Sequence, residues 1–131
     1  MLLIADLKNI AKARVRDAEV LCESGRYDGS VYVCGYAVEM VLKARSCRTL
    51  KWLGYPASSR EFDAYASFRT HNLDVLLHLS GRETIIWAKH LAEWSVAAKW
   101  DPNARYRVVG TATAKSAIDM VHATNVLISV L

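Results

Sequence analysis

The chain has 131 residues, a hydrophobic content of 53%, a charged content of 23% and a formal net charge of +4. This length suits one domain with its own core, and the composition excludes a disordered or collagen-like chain. No uncharged apolar run approaches the roughly 18 residues of a membrane span. The start, MLLIADLK, lacks the basic segment of a signal peptide. We therefore expect a soluble cytoplasmic protein without a membrane anchor.

The three cysteines, Cys22, Cys34 and Cys47, are too widely spaced to suggest a zinc site. Free cysteine in a helix usually behaves as a small buried hydrophobe, so we expect unpaired thiols in a reducing compartment. The mildly basic charge permits an anionic partner without requiring one. The sequence therefore predicts neither a metal ion nor a cofactor.

Two long helices open the predicted fold. Apolar residues at helical spacing predict the first over about residues 3–24. Gly25 can end it, because glycine tolerates the left-handed conformation that closes a helix. The short link that follows forces an antiparallel hairpin with a second helix, which continues to about Leu50. This second helix is apolar over most of its girth, which predicts a central and buried position.

The rest of the chain predicts shorter helices joined by loops. Periodicity is lost between Trp52 and Thr70, where we expect a loop with one short helical turn. Further helices are predicted over about 70–81, 82–99 and 113–131. The expected core residues of the first two are Leu73, Leu76, Leu77, Leu79, Ile85, Ile86, Ala88, Leu91, Ala92 and Trp94. No strand pattern is present, so we predict an all-α, single-domain, up-and-down bundle of four or five helices over residues 1–131.

Three segments resemble the small bacterial form of the HEPN domain: GRYDGSVYVCGYAVEMVLKA at 25–44, FRTHNLDVLLHLSG at 68–81 and WDPNARYR at 100–107. The first two are similar to the family's frequent patterns G-x-Y-D-x-A … A-x-E-x-x-L-K-A and T-H-D-L-x-x-L. The resemblance implies a bundle of four or five helices that is often dimeric. Many members work beside a minimal nucleotidyltransferase or in toxin–antitoxin and defence systems.

Active members of this family are metal-independent ribonucleases, which use an arginine followed by four to six residues and then a histidine. None of the histidines His71, His78, His90 and His122 has an arginine at that spacing, and Arg82 misses His90 by one place. The chain departs from the family pattern here. The resemblance therefore implies no catalytic residue at a matching position.

Five basic side chains form a candidate surface for a nucleotide or RNA: Lys43, Arg69, His71, Arg105 and Arg107. Arg69 and His71 flank a predicted helix start, where backbone amides and side-chain donors can hold a phosphate. The alternative is that His71 caps or packs that helix while Arg69 stays on the surface. Arg105 and Arg107 flank Tyr106, an arrangement that can stack on a base and contact phosphates. The alternative is a loop pinned to the bundle by Tyr106 and by salt bridges from the arginines.

Glu39 and Lys43 are the charged residues of the apolar second helix and lie four residues apart on one face. They form either an exposed intrahelical pair or a buried polar site. A buried Glu39 needs a specific partner, because an unpaired buried charge is very costly. We predict a structural clasp in which Glu39 holds Tyr106 or an arginine of the 100–107 loop.

These patterns favour a non-catalytic HEPN-like module for binding and assembly. We expect a homodimer with a protein partner of the nucleotidyltransferase type, in a toxin–antitoxin, nucleotidyltransferase or defence-type system, with RNA or a nucleotide as ligand. One alternative is a metal-independent ribonuclease toxin with a non-standard site around His71 or His90. Another is a purely structural subunit of an oligomer.

Overall fold

The computed structural model describes residues 1–131 and contains six α-helices. They are α1 Ile4–Glu23, α2 Tyr27–Leu50, α3 Leu73–Ser80, α4 Glu83–Lys89, α5 Leu91–Ala97 and α6 Ala114–Val130. Short 3-10 turns cover Ala66–Phe68 and Pro102–Tyr106. The predicted all-α class is confirmed. None of the helices combines the length and the apolar character needed to cross a membrane.

One small element contradicts the prediction that the chain contains no strand. Strand β1, Leu2–Leu3, pairs in antiparallel register with β2, Gly54–Tyr55. Two residues are too few for an alternating pattern, so the sequence gives no signal of this pair. Its effect is to hold the loop after α2 against the start of α1.

The central helix is α2, as its apolar girth predicts. It packs against α1, α3 and α6, and its buried residues extend from Ser30 to Cys47. The hydroxyl of Ser30 donates a hydrogen bond to the carbonyl of Ala18 at 2.7 Å, which joins the two helices of the predicted hairpin. Gly35 allows Trp100 to lie directly on α2, because a Cβ at residue 35 would be 2.0 Å from the indole ring.

The predicted helix over 82–99 is instead two short helices. The chain leaves the helical conformation at His90, whose φ and ψ are −135° and 32°. Ile86 and Trp94 are buried as expected, but Ile85 and Leu91 are 38% and 56% exposed. The expected core residues Ala88 and Ala92 are also exposed. A break between α4 and α5 interrupts the single apolar stripe on which the prediction rested.

The segment between α2 and α3 is organised by aromatic packing. The Trp52 ring centroid lies 4.9 Å from those of both Tyr65 and Phe68. Tyr55 is fully buried, and its hydroxyl donates to the carbonyl of Phe68 at 2.5 Å. These contacts fix the chain immediately before α3 and thereby position the residues at the start of that helix.

Candidate functional site

Glu39 is a buried carboxylate with two side-chain partners. It is 1% exposed, and its Oε1 atom lies 3.3 Å from Lys43 Nζ and 2.5 Å from His71 Nδ1. Lys43 is itself largely buried, and its ammonium lies 5.1 Å from the centre of the Tyr55 ring. The site therefore joins one turn of α2 to the residues that precede α3.

The local structure at the start of α3 places His71 beside Glu39. Asn72 is the N-cap, and its side chain accepts a hydrogen bond from the Val75 amide at 3.1 Å. The Asn72 amide in turn donates to the Thr70 hydroxyl at 3.0 Å. Asparagine and threonine favour such caps because their short polar side chains reach nearby backbone groups. The helix start is thereby fixed while the His71 side chain remains 61% exposed.

The contact with Glu39 determines how the His71 ring can act. An ionised carboxylate only accepts hydrogen bonds, so opposite such a carboxylate the His71 ring would donate through Nδ1–H. Its Nε2 atom is then an acceptor in the neutral ring and a second donor in the protonated ring. A buried carboxylate that orients an exposed histidine can thus support either ligand binding or proton transfer.

The predicted contact between Glu39 and Tyr106 is wrong. Tyr106 is 76% exposed and ends a 3-10 turn, and the Arg105 guanidinium lies 4.6 Å from the centre of its ring. Glu39 is buried, but its hydrogen-bond partners come from α2 and from the start of α3. No arginine of the 100–107 loop bonds to it.

The other predicted basic residues lie apart from the carboxylate. Arg69 precedes His71 by two residues, but its guanidinium lies 5.9 Å from the centre of the Phe62 ring. Arg107 pairs at 3.2 Å with Asp101, which belongs to the same loop, so this salt bridge does not pin the loop to the bundle. Arg105 donates to the Pro102 carbonyl at 3.0 Å. Of the five predicted basic residues, the structure thus brings together only Lys43 and His71.

Two tyrosines that the sequence analysis missed extend the polar face of α2. Tyr36 and Tyr32 lie one and two turns before Glu39, and their hydroxyl oxygens are 3.3 Å apart. The hydrogen bond with Tyr32, followed by burial, raises the pKa of Tyr36 to about 12, while the nearby charge of Arg105 opposes that shift. The spacing of residues 32, 36, 39 and 43 places all four on one face, which is the signal that could have identified these tyrosines.

A surface groove of about 290 Å³ adjoins this site. The start of α3 and the segment 98–102 line it, with His71 and Asn72 on one side and Lys99, Trp100 and Asp101 on the other. The Trp100 indole N–H donates to the Tyr32 carbonyl at 3.1 Å, which fixes the groove to α2. Its lining combines hydrogen-bond donors, carboxylates and an aromatic wall.

The chain contains no group of three or more histidine, cysteine, aspartate or glutamate side chains arranged to hold a metal ion. All three cysteines are free thiols, and two of them, Cys34 and Cys47, are buried in α2.

A comparison with protein families gives one match. A model described as the HEPN domain matches residues 4–49, the segment that contains α1 and nearly all of α2. The matched residues include Glu39 and Lys43, whereas His71 lies beyond them. No curated protein and no solved structure matches the chain.

Proposed function

We propose that this chain, whose α1–α2 hairpin matches the HEPN domain model over residues 4–49, is a non-catalytic module that binds RNA or a nucleotide. The observation that supports this proposal is the buried Glu39, which holds Lys43 and the exposed His71 beside a groove. The proposed binding surface comprises His71, Lys99 of the groove, and the exposed Arg69 and Arg105 of the flanking segments.

Stability is a weak reason for this arrangement. A buried ion pair loses much of its Coulomb energy to desolvation, and apolar residues of similar size are often equally stabilising. Glu39 is 1% exposed in a helix that otherwise buries apolar and small residues. We therefore interpret the carboxylate as the group that orients His71 toward a ligand.

The surroundings of His71 suit a phosphate and a base. Lys99 lines the same groove, and Arg69 and Arg105 are exposed on the flanking segments. Such cations bind a phosphate backbone largely through electrostatics and counterion release. Tyr106, with its exposed ring, can stack on an unpaired base.

The test is titration of fluorescently labelled single-stranded RNA and of nucleotides at several salt concentrations. We expect His71→Ala to weaken binding by about tenfold, as for a lost hydrogen bond to a charged group. Arg105→Gln should reduce the slope of log affinity against log salt by about 0.7. Arg14→Gln, which changes an exposed arginine paired with Asp17 on α1, is the matched control. Absence of RNA and nucleotide binding at every salt concentration would overturn the proposal.

Ribonuclease activity is the second candidate, and the Glu39–His71 contact favours it specifically. A carboxylate that fixes the tautomer of a histidine is the arrangement by which hydrolases orient a general base. Here His71 Nε2 would accept a proton from an RNA 2′-hydroxyl. The test is incubation of the purified protein with RNA and with the matching DNA in the presence of a metal chelator. Cleavage of RNA alone that His71→Ala abolishes would replace the binding module with an enzyme.

We also propose that the chain works as a homodimer with a nucleotidyltransferase-type partner, in a toxin–antitoxin or defence system. The supporting observation is exposed apolar surface on the loop before α6 and on α6, where Val108, Val109 and Ile118 are 82%, 92% and 59% exposed. Light scattering on the purified chain should give the mass of two copies, and a monomeric mass would contradict the dimer. Co-purification with the product of an adjacent gene tests the partner.

A further inference from the structure

Three arginines lie on two elements that pack together at the end of α2. Arg45 and Arg48 belong to its last turns, and Arg82 lies between α3 and α4. The hydroxyl of Thr49 donates to the Ser80 carbonyl at 2.6 Å, which holds the end of α2 against the turn that carries Arg82. Two separate elements therefore present guanidinium groups to one region.

These arginines have no counter-charge in the structure. Every salt bridge of the chain involves other residues, so no carboxylate oxygen lies within 4.0 Å of their guanidinium nitrogens. The Nε atoms of Arg45 and Arg82 are also buried and have no hydrogen-bond partner. Buried donors are normally satisfied, so two in one cluster require an explanation.

The charges also oppose one another. Burial, followed by the charges of Arg82 and Arg48, lowers the pKa of Arg45. An arginine nevertheless remains charged at physiological pH, so the cluster cannot relieve this repulsion by losing a proton. An anion between the guanidinium groups would relieve it.

The dipole of α2 accounts for only part of this arrangement. Cations near a helix C-terminus are favourable, and Arg48 lies in the last turn of α2. The dipole of α2 does not explain the position of Arg82, which belongs to the turn between α3 and α4.

We propose that Arg45, Arg48 and Arg82 form a second anion site, which binds a phosphate-type oxyanion. Guanidinium groups suit this ligand because their planar N–H pairs match two phosphate oxygens. Arg45 and Arg48 follow Glu39 by six and nine residues, which places them about 120° and 180° around the helix from it. This site is therefore separate from the groove beside His71. The oxyanion is either a free phosphate or diphosphate group or a phosphate of a nucleic-acid backbone.

Inorganic pyrophosphate is the probe for the site, with sodium chloride at matched ionic strength as the reference. We expect pyrophosphate to raise the melting temperature of the full chain and to bind in calorimetry. Arg82→Gln and Arg45→Gln should each weaken that binding by about tenfold, since each removes a charged donor. Arg14→Gln, on the exposed surface of α1, should bind as the unchanged protein does. Arg82→Lys keeps the charge but loses the planar fork, so we expect an intermediate affinity.

A competition experiment identifies the source of the oxyanion. A nucleic-acid phosphate is the ligand if pyrophosphate displaces RNA from the protein. In that case Arg82→Gln should weaken RNA binding at this site, whereas His71→Ala should retain it. Pyrophosphate binding that RNA does not displace would identify a free phosphate group. If Arg82→Gln does not fold, Arg48→Gln replaces it, because Arg48 is exposed. The site would be overturned if pyrophosphate stabilised the protein no more than chloride does, or if it stabilised the folded arginine variants equally. Neither outcome would affect the proposal for His71.

Discussion

His71 Nδ1 lies 2.5 Å from Glu39 Oε1, although one side chain is 61% exposed and the other 1% exposed. The contact crosses from the interior of the bundle to its surface and joins residues 32 positions apart in the chain. A ligand that bound His71 would therefore contact a side chain that Glu39 holds against the central helix α2. Removal of Glu39 alone would also leave Lys43 largely buried without its carboxylate partner.

The first prediction concerns the stability that Glu39 provides. Glu39→Ala should lower the free energy of unfolding by about 3–5 kcal/mol, because it removes one member of a buried ion pair. Lys43 would remain in a site where its side chain is only 13% exposed, without its carboxylate partner. Urea unfolding followed by circular dichroism measures the change.

An exposed glutamate provides the matched control for this measurement. Glu23→Ala, at the end of α1, should change the free energy of unfolding by no more than about 0.5 kcal/mol. A loss of less than about 1 kcal/mol in Glu39→Ala would show that the buried pair is not the structural link inferred here.

The sequence indicates the central position of α2, but it leaves the burial of Glu39 open and gives the wrong partner for it. The apolar girth of α2 predicts its central position, and a carboxylate on that helix requires a partner if it is buried. The partner His71 is brought there by the aromatic segment from Trp52 to Phe68, whose conformation depends on ring packing. Such packing has no period in the sequence, so the predicted contact with Tyr106 was wrong while the central position of α2 was correct.

The break at His90 has a related cause. Residues 82–99 contain neither proline nor glycine, the residues that most often end a helix, so a continuous helix is the natural prediction. Local propensity is a weak guide where tertiary packing decides the path of the chain. The position of Arg82 beside the basic end of α2 was missed for the same reason, because only the turn between α3 and α4 brings it there.

The second prediction contrasts two glycines of α2. Gly35→Ala should destabilise the protein by about 1–3 kcal/mol, because overpacking a filled core forces neighbouring groups to move. The added Cβ would lie 2.0 Å from the Trp100 ring, whose indole also bonds to the Tyr32 carbonyl. Thermal or urea unfolding measures the loss, and tryptophan fluorescence should report displacement of Trp100.

Gly29→Ala is the control for helix propensity in the same element. A Cβ there would lie 3.5 Å from Leu21, an ordinary contact. This variant should be more stable by up to about 1 kcal/mol, since alanine is the better helix former. Equal effects of the two substitutions would show that the contact with Trp100 does not govern the outcome at residue 35.

The third prediction concerns the loop before α6. Asp28, in the first turn of α2, accepts hydrogen bonds from the amides of Gly110 and Ala112 at 2.7 and 2.8 Å. These two bonds lower the pKa of Asp28, so the carboxylate that holds the loop is ionised at neutral pH and protonates only in acid. Asp28→Ala should release the loop and accelerate tryptic cleavage after Arg107. Asp6→Ala, an exposed aspartate in the first turn of α1, is the control. Equal cleavage rates in the two variants would contradict the role of Asp28.

The fourth prediction is a loss of stability at alkaline pH that depends on Cys34. Burial raises the pKa of this thiol from its ordinary value of 9.0 to about 11. As the pH rises from 9 to 11, the unfolded chain loses the thiol proton while the folded chain keeps it, so the unfolded state becomes favoured. For this group the free energy of unfolding should fall by up to about 1.4 kcal/mol per pH unit.

Urea unfolding at several pH values between 7 and 11 tests the dependence on Cys34. Cys34→Ala should lower the free energy of unfolding at neutral pH and make its decline above pH 9 less steep, because one titrating group is removed. Val41→Ala removes a similarly buried but non-ionising side chain of α2, so it should lower stability equally at every pH. A decline equally steep in Cys34→Ala and Val41→Ala would assign the alkaline transition to other groups. Cys47, whose pKa burial also raises to about 11, is the next to substitute.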